Sequence, residues 1–590
     1  MVWCRARTTV GAALLIASLS LAHEAKAVSP LPASGRHGMA VSAQRLASKI
    51  GVQILKQGGN AVDAAVAMAY AEAVVNPCCG NIGGGGFMVI HLARGIDTFI
   101  DFRETAPRAA TPTMYLNAQG QVEQSESWLG YKAVAVPGTV LGLEAALHEY
   151  GRLSRAQVMA PAIHFAENGF RLTAADAAIL DFKAAQFRHN PVIARIFLRR
   201  DGSPLQAGDR LVQSDLAKSL KAIARDGAKA FYDGSIARAI AAASAHGGGI
   251  LTAQDFADYR IAETAPLSCG YRGYTILSAP PPSSGGTTLC EILNVLSGND
   301  MKALGFHSAA AVHLMAEAMR HAYFDRNTEL GDPRFVHDPL SKLLSPAHTA
   351  AIRASILPDR ATPSGHLGAG FPVPEGRQTT QISVIDHAGN AVSLTYTLNG
   401  YFGALEMAPG TGILLNDEMN DFTSKPGVPN AYGLVQGPAN AIAPGKRPLS
   451  SMAPTLVLRN GRVFLVLGSP GGSRIITITL ETLMNVIDYG MDPQHAVDAP
   501  RFHEQWLPDV VYMEPYAVSP DTATLLRGMG YRLQVQRPWG AAELIEVGPP
   551  PAAADASSAG DDSMQEHALK PDVFYGANDD RRPAGAAVGY

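Results

Sequence analysis

Thr379 opens the strand-like run "TTQISVIDHAGNAVSLTYTLN" directly after the Gly- and Pro-rich stretch "PDRATPSGHLGAGFPVPEGR". A threonine hydroxyl is a poor nucleophile until a base takes its proton, and the free α-amine of an N-terminal threonine is such a base on the same residue. α-Amines titrate near about pH 7.7 to 8.0, so a useful fraction is neutral at working pH. A threonine that starts a strand after a loop-like linker has what a self-cleaving precursor needs, its hydroxyl attacking the carbonyl of Gln378. Two threonines before a strand also arise from ordinary β-propensity, so the company they keep decides the matter.

"QISVIDHAGNAVSLTY" predicts a hairpin turned at "HAGN", with Ile382, Val384, Val392 and Leu394 facing inward. A second hairpin crosses "RNGR" in "APTLVLRNGRVFLVLGSPGGSRIITITLETLMNVID" and runs through a glycine turn into a helix. Upstream, "SAQRLASKIGVQILKQGGNAVDAAVAMAYAEAVVNP" predicts two helices broken at Gly58 and Gly59, the second Ala-rich, buried and ending before Pro77. Gly83–Gly86 lead into a core strand over Phe87–Leu92, with a second strand around Thr98–Asp101. That glycine run matches no phosphate loop and precedes no helix, so close backbone packing is expected. Residues 138–248 read as helical, as does "HSAAAVHLMAEAMRHAYFDRNTELGDPRF", whose His307, His313 and His321 lack an i, i+4 set and are expected as satisfied histidines rather than metal ligands. Strands, helices and strands in this order predict a layered sandwich of sheets and helices.

The chain has 590 residues, 47% apolar and 17% charged with 58 Gly and 39 Pro, which suits a globular protein with several layers. Residues 1–27 carry Arg5 and Arg7, the apolar "GAALLIASLSLA" and the small-residue site Ala25-Lys26-Ala27, the pattern of a signal peptide cut after Ala27. The apolar run is shorter than the roughly 20 residues that span a bilayer, so export to the periplasm or beyond is expected, with no membrane association once the leader is lost. The formal charge of −4 becomes −6 when Arg5, Arg7, Lys26 and Glu24 leave with it, which argues against a broad nucleic-acid face and for a small-molecule partner. Adjacent Cys78 and Cys79 are expected as buried thiols, while a Cys269–Cys290 disulfide is left open. Near the end, "GPPPAAADASSAGDDSMQEHALK" reads as a low-complexity surface insertion over about 549–568.

"DFRETAPR" at 101–108, "GILLNDEMNDF" at 412–422, "KRPLSSMAPT" at 446–455 and "GSPGGSRI" at 468–475 stand with the threonine segment. Together with "GNIGGGGFM", "AVAVPGTVLGL", "DRNTELGDPRF", "SKPGVPNAYGLV" and "YGANDDRRP", they resemble the γ-glutamyltransferase family, in order and over nearly the whole mature chain. The resemblance implies an N-terminal-nucleophile hydrolase fold, a four-layer αββα sandwich made as one precursor. The precursor splits itself into a large subunit, 28–378, and a small one, 379–590, that remain together as a heterodimer. It implies transfer of the γ-glutamyl group of glutathione and related compounds to water, an amino acid or a dipeptide, with Thr379 as nucleophile and no metal or organic cofactor.

Such a donor presents an α-carboxylate and an α-ammonium, so the site needs a cation with hydroxyls at one end and carboxylates at the other. On the family's matching positions Arg103, Ser450 and Ser451 take the carboxylate, and Glu418, Asp421 and the Asn399 side-chain carbonyl take the ammonium. Gly471 and Gly472 offer backbone amides to the oxyanion of a tetrahedral intermediate, the Thr397 hydroxyl orients Thr379, and Tyr432 gates a lid. Vicinal Cys78–Cys79, the 549–568 insertion and Gln381 are not settled by the resemblance. The alternatives are a cephalosporin acylase of the same fold, which is expected to shorten the lid, and an uncleaved homologue that only binds.

Overall fold

Thr380–Asp386 and Ala391–Thr397 each alternate an apolar face, with Ile382, Val384, Val392 and Leu394, against a face of amides and hydroxyls. They pair antiparallel, Ile382 opposite Leu394 and Thr380 opposite Tyr396. The computed structural model that shows this describes residues 29–368, 379–428, 430, 434–549, 569–570 and 572–590. The expected leader, Gln378, Tyr432 and residues 550–568 of the expected insertion lie outside the described residues. Pro32–Tyr590 clusters as one unit.

The hairpin is the centre of a seven-stranded sheet in the order Ala586–Gly589, Gly38–Ser42, Thr380–Asp386, Ala391–Thr397, Gly85–Leu92, Ile96–Asp101, Ala262–Thr264. A second seven-stranded sheet runs Ala33–Gly35, Phe574–Asn578, Glu543–Val547, Arg462–Leu467, Thr455–Arg459, Tyr274–Ser278, Leu267–Tyr271. Three apolar interfaces then define four layers. Ile382, Val384, Val392 and Leu394 pack on the helix Ala61–Val75 and its neighbours. Val41, Phe87, Val89, Leu456 and Val466 lie in the interface between the sheets. Val457, Leu465 and Leu467 pack with the helices Gly285–Leu296, Ala309–Glu329 and Ile475–Ile487. The order is helices, sheet, sheet, helices, the expected αββα arrangement.

Polar side chains between the sheets are paired with one another. Thr395 Oγ1 donates to Gln381 Oε1 at 2.6 Å, Gln381 Nε2 to Ser393 Oγ at 2.9 Å, and Ser393 Oγ to the Leu467 carbonyl of the other sheet at 2.8 Å. A satisfied network of this kind fixes how one sheet sits on the other, which gives Gln381 a structural place.

The Ala-rich helix Ala61–Val75 is capped by Asn60 and Asp63 in a reciprocal box and is buried along all 15 residues. The turn that follows it departs from expectation, because Cys78 and Cys79 are joined to each other; elsewhere Cys269 and Cys290, whose pairing was left open, also form a disulfide. Both carbonyls of the vicinal pair are also used: Cys79 O accepts from Leu398 N at 2.9 Å and Cys78 O from Phe402 N at 2.7 Å. The turn is thus pinned from both directions, which holds the two sulfurs side by side where buried thiols were expected. His307 also differs from expectation, since Ser308 caps the helix Ala309–Glu329 and leaves His307 ahead of it. In the "RNGR" turn Asn460 and Gly461 both take positive φ, 52° and 74°, as a two-residue hairpin requires. Among the described residues no helix is long and apolar enough to cross a membrane.

Gly83–Gly86 show why no other residue fits there. A Cβ on Gly84 would overlap the Thr397 carbonyl and one on Gly83 the Leu414 carbonyl, so the run lies directly on the backbone that carries the site. The Gly84 carbonyl in turn accepts the amides of Gly138 and Thr139 at 2.8 and 3.0 Å. Gly84→Ala is therefore expected to lower the unfolding free energy by about 1–3 kcal/mol or more, as overpacking against backbone does. In urea unfolding, Gly365→Ala, where a Cβ meets nothing within 4 Å, should stay within about 0.5 kcal/mol of wild type. Equal midpoints for the two variants would contradict the close approach.

Candidate active site

The register that sets Thr380 opposite Tyr396 carries on to bring Thr379 opposite Thr397 at the end of the central hairpin. Both are buried and both line one cavity. The chain leaves Thr397 through Asn399, whose φ of 72° turns it sharply. Thr397 Oγ1 accepts the Asn399 amide at 2.7 Å, and Asn399 Nδ2 donates to the Asp417 carbonyl at 3.0 Å. This side-chain bond orients the Asn399 carboxamide in the cavity wall. Asp417, buried beside Gly400, accepts the Gly400 amide at 2.8 Å, and burial pushes its carboxyl well above the usual range.

Arg103 follows the strand Ile96–Asp101 and is wholly buried. Its backbone is held by the Asp101 carboxylate, which accepts Arg103 N at 2.9 Å, and by Tyr259 OH, which donates to Arg103 O at 2.8 Å. Its guanidinium donates to the Pro448 carbonyl at 3.1 Å, to Glu418 Oε1 and to Asp421 Oδ2 at 2.5 Å, with Glu104 Oε2 at 3.5 Å. The opposite ends expected for the cation and the acids are therefore one cluster. The reason is electrostatic: a guanidinium taken out of water must be paired. It is also compatible with a zwitterionic ligand, because α-carboxylate and α-ammonium leave the same carbon. Burial works against the Arg103 charge, but Glu418, Asp421 and Glu104 outweigh it and raise its pKa. Burial pushes Glu104 up to about 7 and Glu418 well above its usual range, against the pull of Arg103.

Ser450 and Ser451 face the same cavity. Ser450 Oγ accepts Met452 N at 3.1 Å and Ser451 Oγ accepts Arg326 Nη2 at 2.9 Å. Among the described residues neither hydroxyl donates to a protein acceptor, so both protons are available to an anion in the cavity. The glycine turn closes another wall: Gly472 lines the cavity, and Gly471 and Gly472 take φ of 151° and 60°. The Gly471 carbonyl accepts Arg474 N at 3.2 Å, pointing into the helix Ile475–Ile487. In a trans peptide the Gly472 amide then points the opposite way, off the helix N-terminus.

The cavity also holds residues to which the sequence reading gave no role: Arg326, Gln436, Asn430 and Ser473. Arg326 lies inside "DRNTELGDPRF", where its place in a buried helix was the available signal. The helix histidines are hydrogen-bonded, His313 to Tyr531 OH at 2.8 Å and the Leu357 carbonyl at 2.8 Å, His321 to Ser355 at 3.2 Å. Away from the cavity, Glu291, Asp325 and His348 bring three ligand-capable atoms within 4.8 Å of one another. His348 Nε2 lies 2.7 Å from Asp325 and 3.4 Å from Glu291. Hydrogen bonding to Glu291 raises His348 to about 9, as suits an imidazolium shared by two carboxylates.

Comparison with known proteins adds four findings. The family model described as Gamma-glutamyltranspeptidase matches residues 47–570. The "Glutathione hydrolase proenzyme" of Pseudomonas sp. (strain A14) is 51% identical over 583 residues, covering 99% of each chain. That of Escherichia coli (strain K12) is 47% identical over 519 residues, covering 88% of this chain and 89% of that one. Among solved structures, cephalosporin acylase from Bacillus halodurans superposes with a TM-score of 0.79 at 27% identity, over 95% of this chain and 97% of that one.

Arg103 is the cation that balances a buried set of carboxylates, so Arg103→Ala is expected to cost about 3–5 kcal/mol of stability, as removal of one partner from a buried ion cluster does. Arg103→Lys keeps the charge without the fork and should cost less. Urea titration of both variants checks this, and an Arg103→Ala midpoint equal to wild type would contradict the pairing.

Proposed function

The chain belongs to the gamma-glutamyltranspeptidase family, and on that premise we propose how its own residues carry the reaction. It is an autoprocessed γ-glutamyltransferase and glutathione hydrolase. The observation that supports the residue assignment is the convergence of Thr379, the Arg103–Glu418–Asp421 cluster and the Ser450–Ser451 hydroxyls on one cavity.

Processing comes first. The Thr379 hydroxyl attacks the Gln378 carbonyl carbon, the peptide C–N bond breaks as the acyl group moves to oxygen, and water hydrolyses the ester. The products are a large subunit ending at Gln378 and a small one beginning with the Thr379 amine. They stay together because strands of both interleave in one sheet, Gly38–Ser42 pairing with Thr380–Asp386 and Gly85–Leu92 with Ala391–Thr397.

In turnover the Thr379 amine takes the proton of its own hydroxyl, and the oxygen attacks the γ-carbonyl of the donor. The Gly471–Gly472 turn donates amide hydrogens to the oxyanion. The departing amine takes the proton, leaving a γ-glutamyl ester on Thr379, and water or the amine of an amino acid or dipeptide then attacks that ester and restores the hydroxyl. Thr397 orients Thr379. Arg103, Ser450 and Ser451 hold the donor's α-carboxylate, while Glu418, Asp421 and Asn399 hold its α-ammonium. The acids favour a γ-glutamyl donor over the glutaryl group of a cephalosporin acylase substrate, which has no ammonium for them. Export directed by residues 1–27, which are then cut off after Ala27, completes the proposal.

Wild-type protein is expected to give two bands on a denaturing gel, with an N-terminus at Thr379, and to release the chromophore of a γ-glutamyl anilide. Thr379→Ala should stay one band and leave the anilide intact. A glutaryl anilide should react with a kcat/KM lower by at least about 10²-fold, as a site built to hydrogen-bond an absent group requires. An unsplit wild type, or equal turnover by wild type and Thr379→Ala, would sink the mechanism.

A further inference from the structure

The donor's carboxylate meets an awkward electrostatic situation in this cavity. Arg103 is already shared among Glu418, Asp421 and Glu104, so three carboxylates surround one guanidinium. If Arg103 were the sole cation, an incoming anion would face a field that is neutral or negative overall.

Arg326 stands in contrast. It is 1% exposed, it lines the same cavity, and no carboxylate lies within ion-pair distance of it among the described residues. Its hydrogen-bond partners are all neutral: Nε donates to Ser284 Oγ at 2.9 Å, Nη1 to Asn327 Oδ1 at 2.7 Å and Nη2 to Ser451 Oγ at 2.9 Å. A buried guanidinium without a counter-ion is costly and implies an anion supplied from elsewhere. Burial correspondingly lowers the Arg326 pKa to about 10.

The partners of Arg326 lead to the two serines. By filling a lone pair of Ser451 Oγ, Arg326 turns that hydroxyl's proton away from itself. Through Ser284, whose Oγ donates to the Ser450 carbonyl at 2.6 Å, it also braces the Ser450 backbone, and Ser284 N donates to the same carbonyl at 2.8 Å. Three residues earlier on the same helix, Tyr323 OH donates to the Ser473 carbonyl beside the glycine turn. One helical face thus spaces the serine pair relative to that turn.

We propose that Arg326 is a positioning residue for the donor's α-carboxylate, orienting the Ser450–Ser451 hydroxyls and adding positive charge to that of Arg103, which Glu418, Asp421 and Glu104 already share. The inference rests on the γ-glutamyl assignment above and deepens it. It makes recognition of the carboxylate a two-arginine task, with one guanidinium bound to the acids and the other acting through the hydroxyls.

The test is calorimetric binding of L-glutamate and of 4-aminobutanoate, which lacks the α-carboxylate, to processed wild type, Arg326→Gln and Arg326→Lys. Arg326→Gln is expected to weaken glutamate by about 10- to 100-fold, the range of a lost charge-assisted hydrogen bond, and to change 4-aminobutanoate by less than about 3-fold. Arg326→Lys should recover part of the glutamate loss, because it keeps the charge. With the γ-glutamyl anilide, the Arg326→Gln defect should appear mainly in KM. Equal weakening of both ligands, or glutamate affinity unchanged in Arg326→Gln, overturns the proposal. If Arg326→Gln fails to process, Arg326→Lys decides alone: unchanged discrimination between the two ligands supports a role for the charge, and its collapse to the level of 4-aminobutanoate overturns that role. Because binding is read without turnover, an inactive wild type would count against the reaction assigned above rather than against Arg326.

Discussion

The antiparallel pairing of Thr380–Asp386 with Ala391–Thr397 is the constraint on which the site depends. A period of two along each strand commits Ile382, Val384, Val392 and Leu394 to one helical layer and Gln381, Ser383, Ser393 and Thr395 to the other sheet. A slip of one residue would turn both faces over, exposing apolar groups to the polar network and hydroxyls to the core. Register is therefore strongly specified, and with it the meeting of Thr379 and Thr397 at one end. The glycine run adds a second check, since Gly83 and Gly84 lie against the Leu414 and Thr397 carbonyls and leave no room for that end to move.

Charge compensation governs the rest of the cavity. Arg103, Glu104 and Glu418 are all nearly inaccessible to solvent, and such groups are tolerated only when their partners are in place. The cluster is thus organised before any ligand arrives, which lowers the cost of ordering it on binding. The same organisation explains why burial and the neighbouring charges act in opposite directions on these groups. Glu418 and Glu104 are pushed toward their protonated forms by burial while Arg103 pulls them back.

Much of this was legible in the residues, for identifiable reasons. Local signals announced the hairpins: alternation along 380–397, a "RNGR" turn whose Asn460 and Gly461 both take positive φ, and Gly58 ending the first helix at φ 92°. The family-like motifs brought the site residues into one list, and the fold brings Thr379, Arg103, Asn399, Glu418, Asp421, Ser450, Ser451 and Gly472 to one cavity. What escaped was relational. That Arg103 bonds Glu418 and Asp421 rather than standing opposite them depends on segments more than 300 positions apart. Arg326 offered only its place in "DRNTELGDPRF" as a sign, because a lone arginine in a helix is usually solvated and its burial follows from packing between layers. The Cys78–Cys79 bond escaped because strain in the dipeptide was weighed without the Leu398 and Phe402 amides that hold the turn.

These constraints meet at the junction before Thr379. A nucleophile that uses its own α-amine as base must be the first residue of a chain, yet the centre of a sheet is the least accessible place to put a chain end. Thr379 is only 3% exposed and is followed by a strand paired on both sides, to Gly38–Ser42 and to Ala391–Thr397. Separate chains would have to assemble those ladders from two pieces, and non-local strand pairing already carries a large loop-closure cost within one chain. Folding as a single precursor makes the pairings intramolecular. On the proposed mechanism, cutting afterwards frees the Thr379 amine in a site whose strand pairings are already formed.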